Sequence, residues 1–313
     1  MRDQRGVALI VVLLVLALLA VVVTESAYSA RLEASMVRAY RDGVVGQHLA
    51  EAGVHQAIRE ILSQAQVAAV DGDGALVFYR ALPGQTTPAR VPPLPRTRVA
   101  LGAGEFSYRI SDEAARLGLN GADTTRFDRL LQALNVDRQQ RDVIADSLQD
   151  WRDANELHRA HGAESDFYLK LPVPYRARNA NLQDAAELLQ IRGVTPELYF
   201  GGGGRPGLGD LVTAVTANTV NLNTASPLVL KAYGLSEAEI GDVVETRVRA
   251  PYPTVPGRFA GRGFTVGSST FRIEAEGLVG GIPRGRIVAV VRRGRPGRVL
   301  DLTVVSWRPG VAS

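Results

Sequence analysis

The stretch QRGVALIVVLLVLALLAVVVTE, residues 4–25, decides the fold of this 313-residue chain. Seventeen uncharged residues run from Val7 to Val23, and Arg2 and Arg5 flank their start. A run of about 17 to 20 apolar residues is long enough to cross a bilayer as a helix. The flanking arginines predict a cytoplasmic N-terminus, with the rest of the chain on the other side of the membrane.

Three interpretations of this segment are open. It is a cleaved secretion signal, an uncleaved anchor, or an anchor whose short basic leader is cut after Gly6, so that Val7 becomes the new N-terminus. A secretion signal is disfavoured because the apolar run is long. Tyr28 also stands where a signal cleavage site prefers a small residue.

The residues that follow favour the third interpretation. No glycine or proline interrupts residues 7–42, and the apolar pattern then becomes amphipathic. One helix is therefore predicted to run from the membrane to about Leu62, with Gly43, Gly46 and Gly53 weakening it locally. Its buried face is predicted from helical spacing. The residues of that face are Val45, Leu49, Ala52, Ile58 and Ile61.

Composition narrows the function classes. The hydrophobic fraction of 46% is sufficient for the cores of two modest domains, and the net charge is only +4. Basic residues are mixed with acids along the chain, which gives little support to nucleic-acid binding. The chain has no cysteine, which excludes disulfides, thiolate metal sites and cysteine nucleophiles.

The remaining pattern changes from strands to helices and back. Residues 75–111 read as strands and turns, and EFSYRISD (105–112) alternates apolar and polar residues. Residues 113–217 read as helices. STFRIEAEGLV, GRIVAVVRR and RVLDLTVVSW then form three candidate antiparallel strands. Helices placed between strands predict an α+β fold with a helical insertion.

The N-terminus resembles that of type IV pilin-like proteins, which are cleaved at a position matching the Gly6–Val7 bond and methylated on the new amine. Most such proteins carry glutamate where this chain has Val11. That departure is typical of the type II secretion minor pseudopilin K family. ISDEAARLGLN (110–120), residues 150–199 and VNLNTASPLVLKAYGLS (220–236) resemble further parts of that family in the same order.

The resemblance implies a pilin-type fold. A long N-terminal transmembrane and amphipathic helix would pack on an antiparallel sheet that carries a large inserted all-helical domain of the SAM-like or helix-hairpin-helix type. The expected divisions are 1–6 leader, 7–24 membrane span, 25–112 amphipathic helix and first strands, 113–217 helical insertion, and 218–313 second hairpin and last strands.

The resemblance also implies a function and partners. A K-type subunit sits at the tip of the pseudopilus, needed for its initiation and for protein export across the outer membrane. Its expected partners are minor pseudopilins of the I and J types, other pseudopilins, the prepilin peptidase and the inner membrane. The C-terminal domain is expected in the periplasm.

An acidic stretch within residues 150–166 is a candidate calcium site. Calcium takes six to eight oxygen ligands, and two acidic groups joined by a loop through Gly162 could supply them. The family resemblance implies calcium in this region, although Asn155 and Ser165 stand where acids are expected. Fewer charges predict weaker binding. The predicted ligands are Asp153, Glu156, Glu164 and Asp166, with Asn155 and Asp150 as secondary candidates.

The sequence offers one alternative to the calcium site and one to the proposed function. His158, His161 and Glu164 are residue types that bind zinc, but Gly162 favours a loop over the helix that would group them.

VNLNTASPLVLKAYGLSEAEIGDVVETR (220–247) is typical of a helix-hairpin-helix, which makes a membrane-anchored, competence-like DNA-binding protein the alternative function. Two acids at its turn oppose phosphate, so packing or protein contact is the favoured role and no nucleic acid is expected.

No catalytic constellation is found in the sequence, and a non-enzymatic role is expected. GGGGRPGLG (201–209) lacks the GxxxxGK[ST] pattern of a phosphate loop and reads as a flexible connection. Nothing resembles a nucleophile elbow or a kinase signature.

Overall fold

The structure, a computed structural model, describes residues 4–62, 67–72, 74–80, 88–121, 123–215, 218–294 and 302–309. The first part contains one long helix and five strands. These are α1 (Gln4–Ile61), β1 (Val67–Val70), β2 (Leu76–Arg80), β3 (Ala89–Arg90), β4 (Val99–Leu101) and β5 (Gly104–Asp112).

The middle of the chain is mostly helical, and three long strands complete the fold. The middle elements are β6 (Leu117–Gly118), α2 (Thr124–Ala133), α3 (Arg138–Arg152), α4 (Ser165–Tyr168), α5 (Pro196–Phe200), β7 (Gly201–Gly202), β8 (Arg205–Pro206), α6 (Leu208–Leu211), β9 (Val212–Thr213), β10 (Val220–Asn221), α7 (Pro227–Ala232), α8 (Glu237–Arg249) and β11 (Phe264–Thr265). Short 3₁₀ helices cover Glu113–Ala115, Ala185–Gln190 and Gly257–Phe259. The last strands are β12 (Thr270–Val279), β13 (Ile282–Arg293) and β14 (Leu302–Pro309).

The main sheet is antiparallel, with strand order β14-β13-β12-β5-β4. Alternate side chains of β5, including Phe106, Tyr108 and Ile110, are buried on one face of the sheet. Ile273 of β12 and Ala289 of β13 belong to the same core, which also includes the C-terminal part of α1. The α+β fold with a long N-terminal helix on an antiparallel sheet is therefore confirmed.

The face of α1 that contacts the sheet is centred on small residues. Gly46, Ala50, Gly53, Val54 and Ala57 are buried, at spacings that fall on one side of the helix. Of the predicted face, Leu49 and Ile61 are buried, whereas Val45, Ala52 and Ile58 are partly buried at its borders. Gly46 and Gly53 were expected to weaken the helix locally, but both lie in its packing surface.

Glycine at these positions allows helix and sheet to approach closely. A Cβ added at Gly46 would lie 2.5 Å from Cβ of Arg284 and 2.8 Å from the amide nitrogen of Gly285. On the sheet side, a Cβ at Gly277 would collide with the carbonyl oxygen of Gly46. The β12–β13 register shifts between Gly277 and Leu278, so this contact lies at an irregularity of the sheet.

The helices form a second core, separate from the one beneath α1. It includes Leu130 of α2, Leu148 and Trp151 of α3, Tyr168 of α4 and Val243 of α8. In the sequence these helices lie between β5 and β12, which are neighbours in the main sheet. The helical block is thus inserted between paired strands, and its core extends beyond the expected insertion of residues 113–217 to include Val243.

A buried polar network joins the two cores. The Asp112 carboxylate, at the end of β5, accepts hydrogen bonds from Asn221 Nδ2 at 3.0 Å and Thr224 Oγ1 at 2.6 Å, and from the Ser268 hydroxyl. Its neighbour Glu113 pairs with Arg272 of β12 at 2.6 Å. Burial raises the pKa of Asp112 above its usual range.

Residues 201–206 of the glycine-rich segment form a β-hairpin, and α6 begins at Leu208. β7 pairs with β8 in antiparallel register, and Gly203 and Gly204 between them have positive φ. A Cβ at Gly207 would meet the backbone of Tyr199 and Phe200. Glycine is therefore required here for a tight turn and close packing, and the expectation of a flexible connection was wrong.

Candidate functional site

The N-terminal half of α1 is the largest uncovered apolar surface of the described chain. Residues 8–41 are exposed throughout, although most of residues 8–23 are Leu, Val, Ile or Ala. A helix of this kind is long and apolar enough to cross a membrane. Gly6 and Val7 both lie within α1, so the predicted cleavage point falls inside a continuous helix. Arg2 lies outside the described residues.

The acidic stretch lies where α3 ends and α4 begins. Asp137 caps the start of α3, its side chain accepting from the amide of Gln140 at 3.0 Å. Asp150 lies in the last turn of α3, beside the buried Trp151. Asp153 is the C-terminal cap of the same helix, and Glu164 stands immediately before α4. The loop between the two helices folds back and brings both ends together.

Three carboxylates meet at this point. One oxygen each from Asp150, Asp153 and Glu164 can be chosen so that all three lie within 4.8 Å of one another. We call these three residues the acidic cluster. The side chain of Asp150 is 0% exposed and that of Asp153 is 26% exposed. Glycine at position 162 is needed beside them, because a Cβ there would collide with the Asp150 carboxylate.

Glu164 is the unsatisfied member of the acidic cluster. The residue is 1% exposed, and neither carboxylate oxygen has a hydrogen-bond partner among the residues that the structure describes. Burial, followed by the negative charges of Asp150, Asp153 and Glu156, raises the pKa of Glu164 to about 7. Buried carboxylates are normally paired, so this arrangement fits a cation as the missing partner.

A positive side chain already contacts the other two members. Arg159 Nη1 lies 2.7 Å from Asp150 Oδ1 and 2.6 Å from Asp153 Oδ2. The amide of Arg159 also donates to Asp150 Oδ2 at 3.2 Å. Arg159 was not predicted from the sequence, because an arginine in an acidic loop has no spacing that marks it as a partner of two particular carboxylates.

The remaining predicted ligands have other partners. Glu156 accepts from the Ser165 amide at 3.2 Å, the Ser165 hydroxyl at 3.0 Å and Asn179 Nδ2 at 2.9 Å. Asn155 Nδ2 donates to Asp153 Oδ1 at 2.7 Å, on the border of the acidic cluster. Of the four primary candidates, the structure brings Asp153 and Glu164 together, and it adds Asp150 from the secondary pair.

Asp166 lies in a separate group of exposed charges. Its carboxylate is 2.7 Å from His158 Nε2 and 3.1 Å from Lys170 Nζ. His161 contributes its backbone amide to Asp146 Oδ2 at 3.0 Å. Of the three residues considered for zinc, His158 is thus paired with Asp166, whereas Glu164 belongs to the acidic cluster.

The predicted helical hairpin forms, but its turn is acidic. α7 and α8 are joined through Gly234, whose φ of 82° is the left-handed conformation that ends α7. Glu237 pairs with Lys231 at 2.6 Å, and Glu239 pairs with Arg262 at 2.8 Å, both in the first turn of α8. Carboxylates at that helix start oppose a phosphate, which is the chemistry the DNA-binding alternative needs.

Comparison with known proteins finds similarity to one family. The family model described as "Type II secretion system (T2SS), protein K" matches residues 111–200, the segment that contains the acidic cluster. The type II secretion system protein K of Pseudomonas aeruginosa is 27% identical, over 95% of this chain and 91% of that protein. The chain is thus similar to the type II secretion system protein K family, in residues 111–200 by the family model and over most of its length by this relative.

A second relative shows the same similarity. The protein K of Pectobacterium carotovorum subsp. carotovorum is 31% identical over 216 residues, which cover 63% of this chain and 60% of that relative. The matched part of this chain thus corresponds to less than two thirds of the full length of that relative. The DNA-binding alternative receives no support from these relatives.

A solved structure has the same fold. A chain of the GspK-GspI-GspJ complex from the enterotoxigenic Escherichia coli type 2 secretion system aligns with a TM-score of 0.61 and 18% identity. The alignment covers 90% of this chain and 99% of that chain. The long helix, the sheet and the inserted helices are therefore an architecture that this chain has in common with a GspK-complex subunit.

Proposed function

We propose that this chain is the minor pseudopilin at the tip of the type II secretion pseudopilus, where it initiates assembly and supports protein export across the outer membrane. One observation carries the proposal: in α1, an exposed apolar half continues without a break into a half that packs on the sheet. The first half is suited to a membrane or to neighbouring apolar helices, and the second fixes it to the folded domain.

Processing and topology follow from the same helix. The prepilin peptidase would cut between Gly6 and Val7, and Val7 would then be methylated on its new amine. Arg5 at the start of the apolar run supports a cytoplasmic N-terminus, with the folded domain in the periplasm and a single pass through the inner membrane. The role is structural, and no catalytic step is assigned to any residue.

The proposed partners are minor pseudopilins of the I and J types. The solved neighbour comes from a complex of GspK with GspI and GspJ, and it aligns over almost its whole length. The exposed half of α1 is the surface proposed to pack with the corresponding helices of those partners. Tyr28, Met36 and Tyr40 extend this apolar surface beyond the membrane run.

Val11 supports a place at the tip. A carboxylate within the bilayer costs about 2.5 kcal/mol or more unless it is paired. In pilin-like subunits with glutamate at this position, the partner is thought to be the N-terminal amine of a neighbour. A chain with Val11 needs no such neighbour, as expected for the subunit that ends the filament.

Calcium is the ligand proposed for the acidic cluster. Asp150, Asp153 and Glu164 would hold the ion, since hard carboxylate oxygens are what calcium prefers and the Glu164 oxygens have no described partner. The ion would neutralise negative charge and connect the end of α3 to the start of α4. Glu156 and Asp166 are occupied by other contacts and are proposed as neighbours of the site, with Asn155 at its border.

The tip assignment is tested by the variant Val11→Glu. It introduces an acid without a partner into the membrane-spanning helix, so secretion and co-purification with I- and J-type subunits are expected to fall strongly. Val11→Leu is the matched control and is expected to behave as the wild type. Secretion that is unchanged in Val11→Glu, with normal protein levels, would contradict the tip assignment.

A further inference from the structure

We propose that Arg159 is a displaceable internal cation of the acidic cluster, which holds Asp150 and Asp153 in the metal-free protein and limits calcium affinity because it must leave when the ion binds. This inference rests on the proposed calcium site. It assigns a role to a residue that was not among the predicted ligands.

The contacts of Arg159 place its charge on the cluster itself. A single atom, Nη1, lies 2.7 Å from an oxygen of Asp150 and 2.6 Å from an oxygen of Asp153. Distances of this size are typical of charge-assisted hydrogen bonds. A positive group that bridges two carboxylates in this way occupies the position that a shared calcium ion would need.

Arg159 satisfies only part of the cluster. Three carboxylates face one another, and Glu164 remains without a described hydrogen-bond partner although it is 1% exposed. One guanidinium therefore leaves a local excess of negative charge. A divalent ion would contact all three carboxylates, but it would also repel the guanidinium beside it, so both cannot keep the same oxygens.

The geometry allows Arg159 to leave. Its side chain is 40% exposed, so its guanidinium can turn towards solvent without being buried elsewhere. The Asp150 carboxylate would stay in place, because the Arg159 backbone amide also donates to it at 3.2 Å. The side chain is thus the exchangeable part of the contact, and the loop backbone is the permanent part.

This arrangement has two measurable consequences. Removing the guanidinium abolishes the competition, so calcium should bind more tightly. Without calcium, the same change leaves buried Asp150 without its charged partner, so the metal-free protein should become less stable. If Arg159 had only a structural role, its removal would lower the stability of the metal-free protein without raising its affinity for calcium.

The test compares Arg159→Met with Arg159→Lys in the full chain, purified in detergent. Arg249→Met is the matched control, since it removes the same charge from an exposed pair with Glu245 on α8, where both side chains are more than 60% exposed. Calorimetric titration with calcium chloride gives the affinity, and thermal unfolding in EDTA gives the metal-free stability.

We expect Arg159→Met to bind calcium at least about tenfold more tightly than the wild type, with Arg159→Lys between them and Arg249→Met unchanged. In EDTA, Arg159→Met should melt at a lower temperature, and excess calcium should remove the difference. If Arg159→Met folds only with calcium, the loss of metal-free stability is larger than expected but has the same cause. If it does not fold at all, the comparison of Arg159→Lys with the wild type decides.

Two results would overturn the proposal, and they are distinguishable. Equal or weaker calcium affinity in Arg159→Met, with clear binding by the wild type, would reject the role of Arg159 and leave the calcium site standing. If neither the wild type nor the variants bind calcium at millimolar concentration, the site itself is wrong, and the role of Arg159 fails with it.

Discussion

At the scale of single residues, the acidic cluster depends on a conflict between burial and charge. Glu164 is buried beside two aspartates, and Arg159 pairs with those aspartates rather than with Glu164. Folding therefore favours the protonated form of Glu164, whereas a bound cation would favour the ionised form. The stability of the domain should then depend on pH in opposite ways without and with calcium.

The pH dependence of the metal-free chain gives a prediction for Glu164. The folded group keeps its proton up to about pH 7, whereas the ordinary value is 4.5, so the unfolded chain binds fewer protons between these limits. The free energy of unfolding should therefore fall as pH rises through this range, by roughly 3 kcal/mol in total from this group. Urea unfolding in EDTA at several pH values measures the change.

Glu164→Gln is the variant that isolates this effect, because it keeps the shape of the side chain and cannot ionise. We expect it to equal the wild type near pH 5 and to exceed it near pH 8 in EDTA. In excess calcium the order should reverse, since the variant lacks a charged ligand. Parallel pH profiles for the two proteins in EDTA would contradict the environment described for Glu164.

At the scale of elements, the contact between α1 and the sheet depends on backbone proximity. The carbonyl oxygen of Gly46 occupies the place where a side chain at Gly277 would start, and Gly285 lies against the same peptide, between Gly46 and Gln47. Interiors are close-packed, so there is no free volume into which an extra methyl group could fit. Among the residues that the structure describes, none imposes such a constraint on the exposed half of α1.

Two glycine variants of the same helix separate packing from helix propensity. Gly46→Ala puts a methyl group 2.5 Å from Arg284 Cβ, so it should lower the free energy of unfolding by about 2 kcal/mol, because overpacking exceeds the gain in propensity. Gly43→Ala meets nothing within 4 Å and should raise stability by up to about 1 kcal/mol. Denaturant unfolding compares them, and equal effects would contradict the close contact at Gly46.

Sequence patterns predicted the elements better than the contacts between them. The continuous helix and the long strands were visible because apolar periodicity is local in sequence. The role of Gly46 was missed, since a glycine in a helix signals weakness unless the opposing strand is known. The last predicted strand begins at residue 298. Its first four residues lie outside the described part of the chain, and the described strand β14 begins at Leu302.

The candidate site shows the same limit. Acid-rich composition located the loop, but it did not reveal that Asp150 is buried with Asp153 and Glu164, or that Arg159 bridges two of them. Glu156 and Asp166 have the right chemistry, yet local contacts with Ser165 and His158 hold them elsewhere. Asp112 bonds to Asn221, 109 residues away, a distance over which no spacing rule applies.

At the scale of the whole molecule, the chain consists of an exposed apolar helix, a sheet that fixes it and a helical block inserted between two paired strands. Two separate cores belong to the sheet and to the helical block, and the Asp112 network lies between them. Contacts made by α1 in a membrane or filament are thus carried into the folded domain through one continuous helix. The similarity to type II secretion system protein K is the basis for its proposed place in the secretion apparatus.

The intact mass of the chain purified from membranes tests the central claim, that α1 is a processed pilin-type anchor. We predict a mature protein that begins at Val7 and carries one added methyl group. A chain that begins at Met1 would make the helix a simple anchor and contradict pilin-type processing. A chain that begins near Arg31 would be a released protein, and the account of assembly through α1 would be wrong.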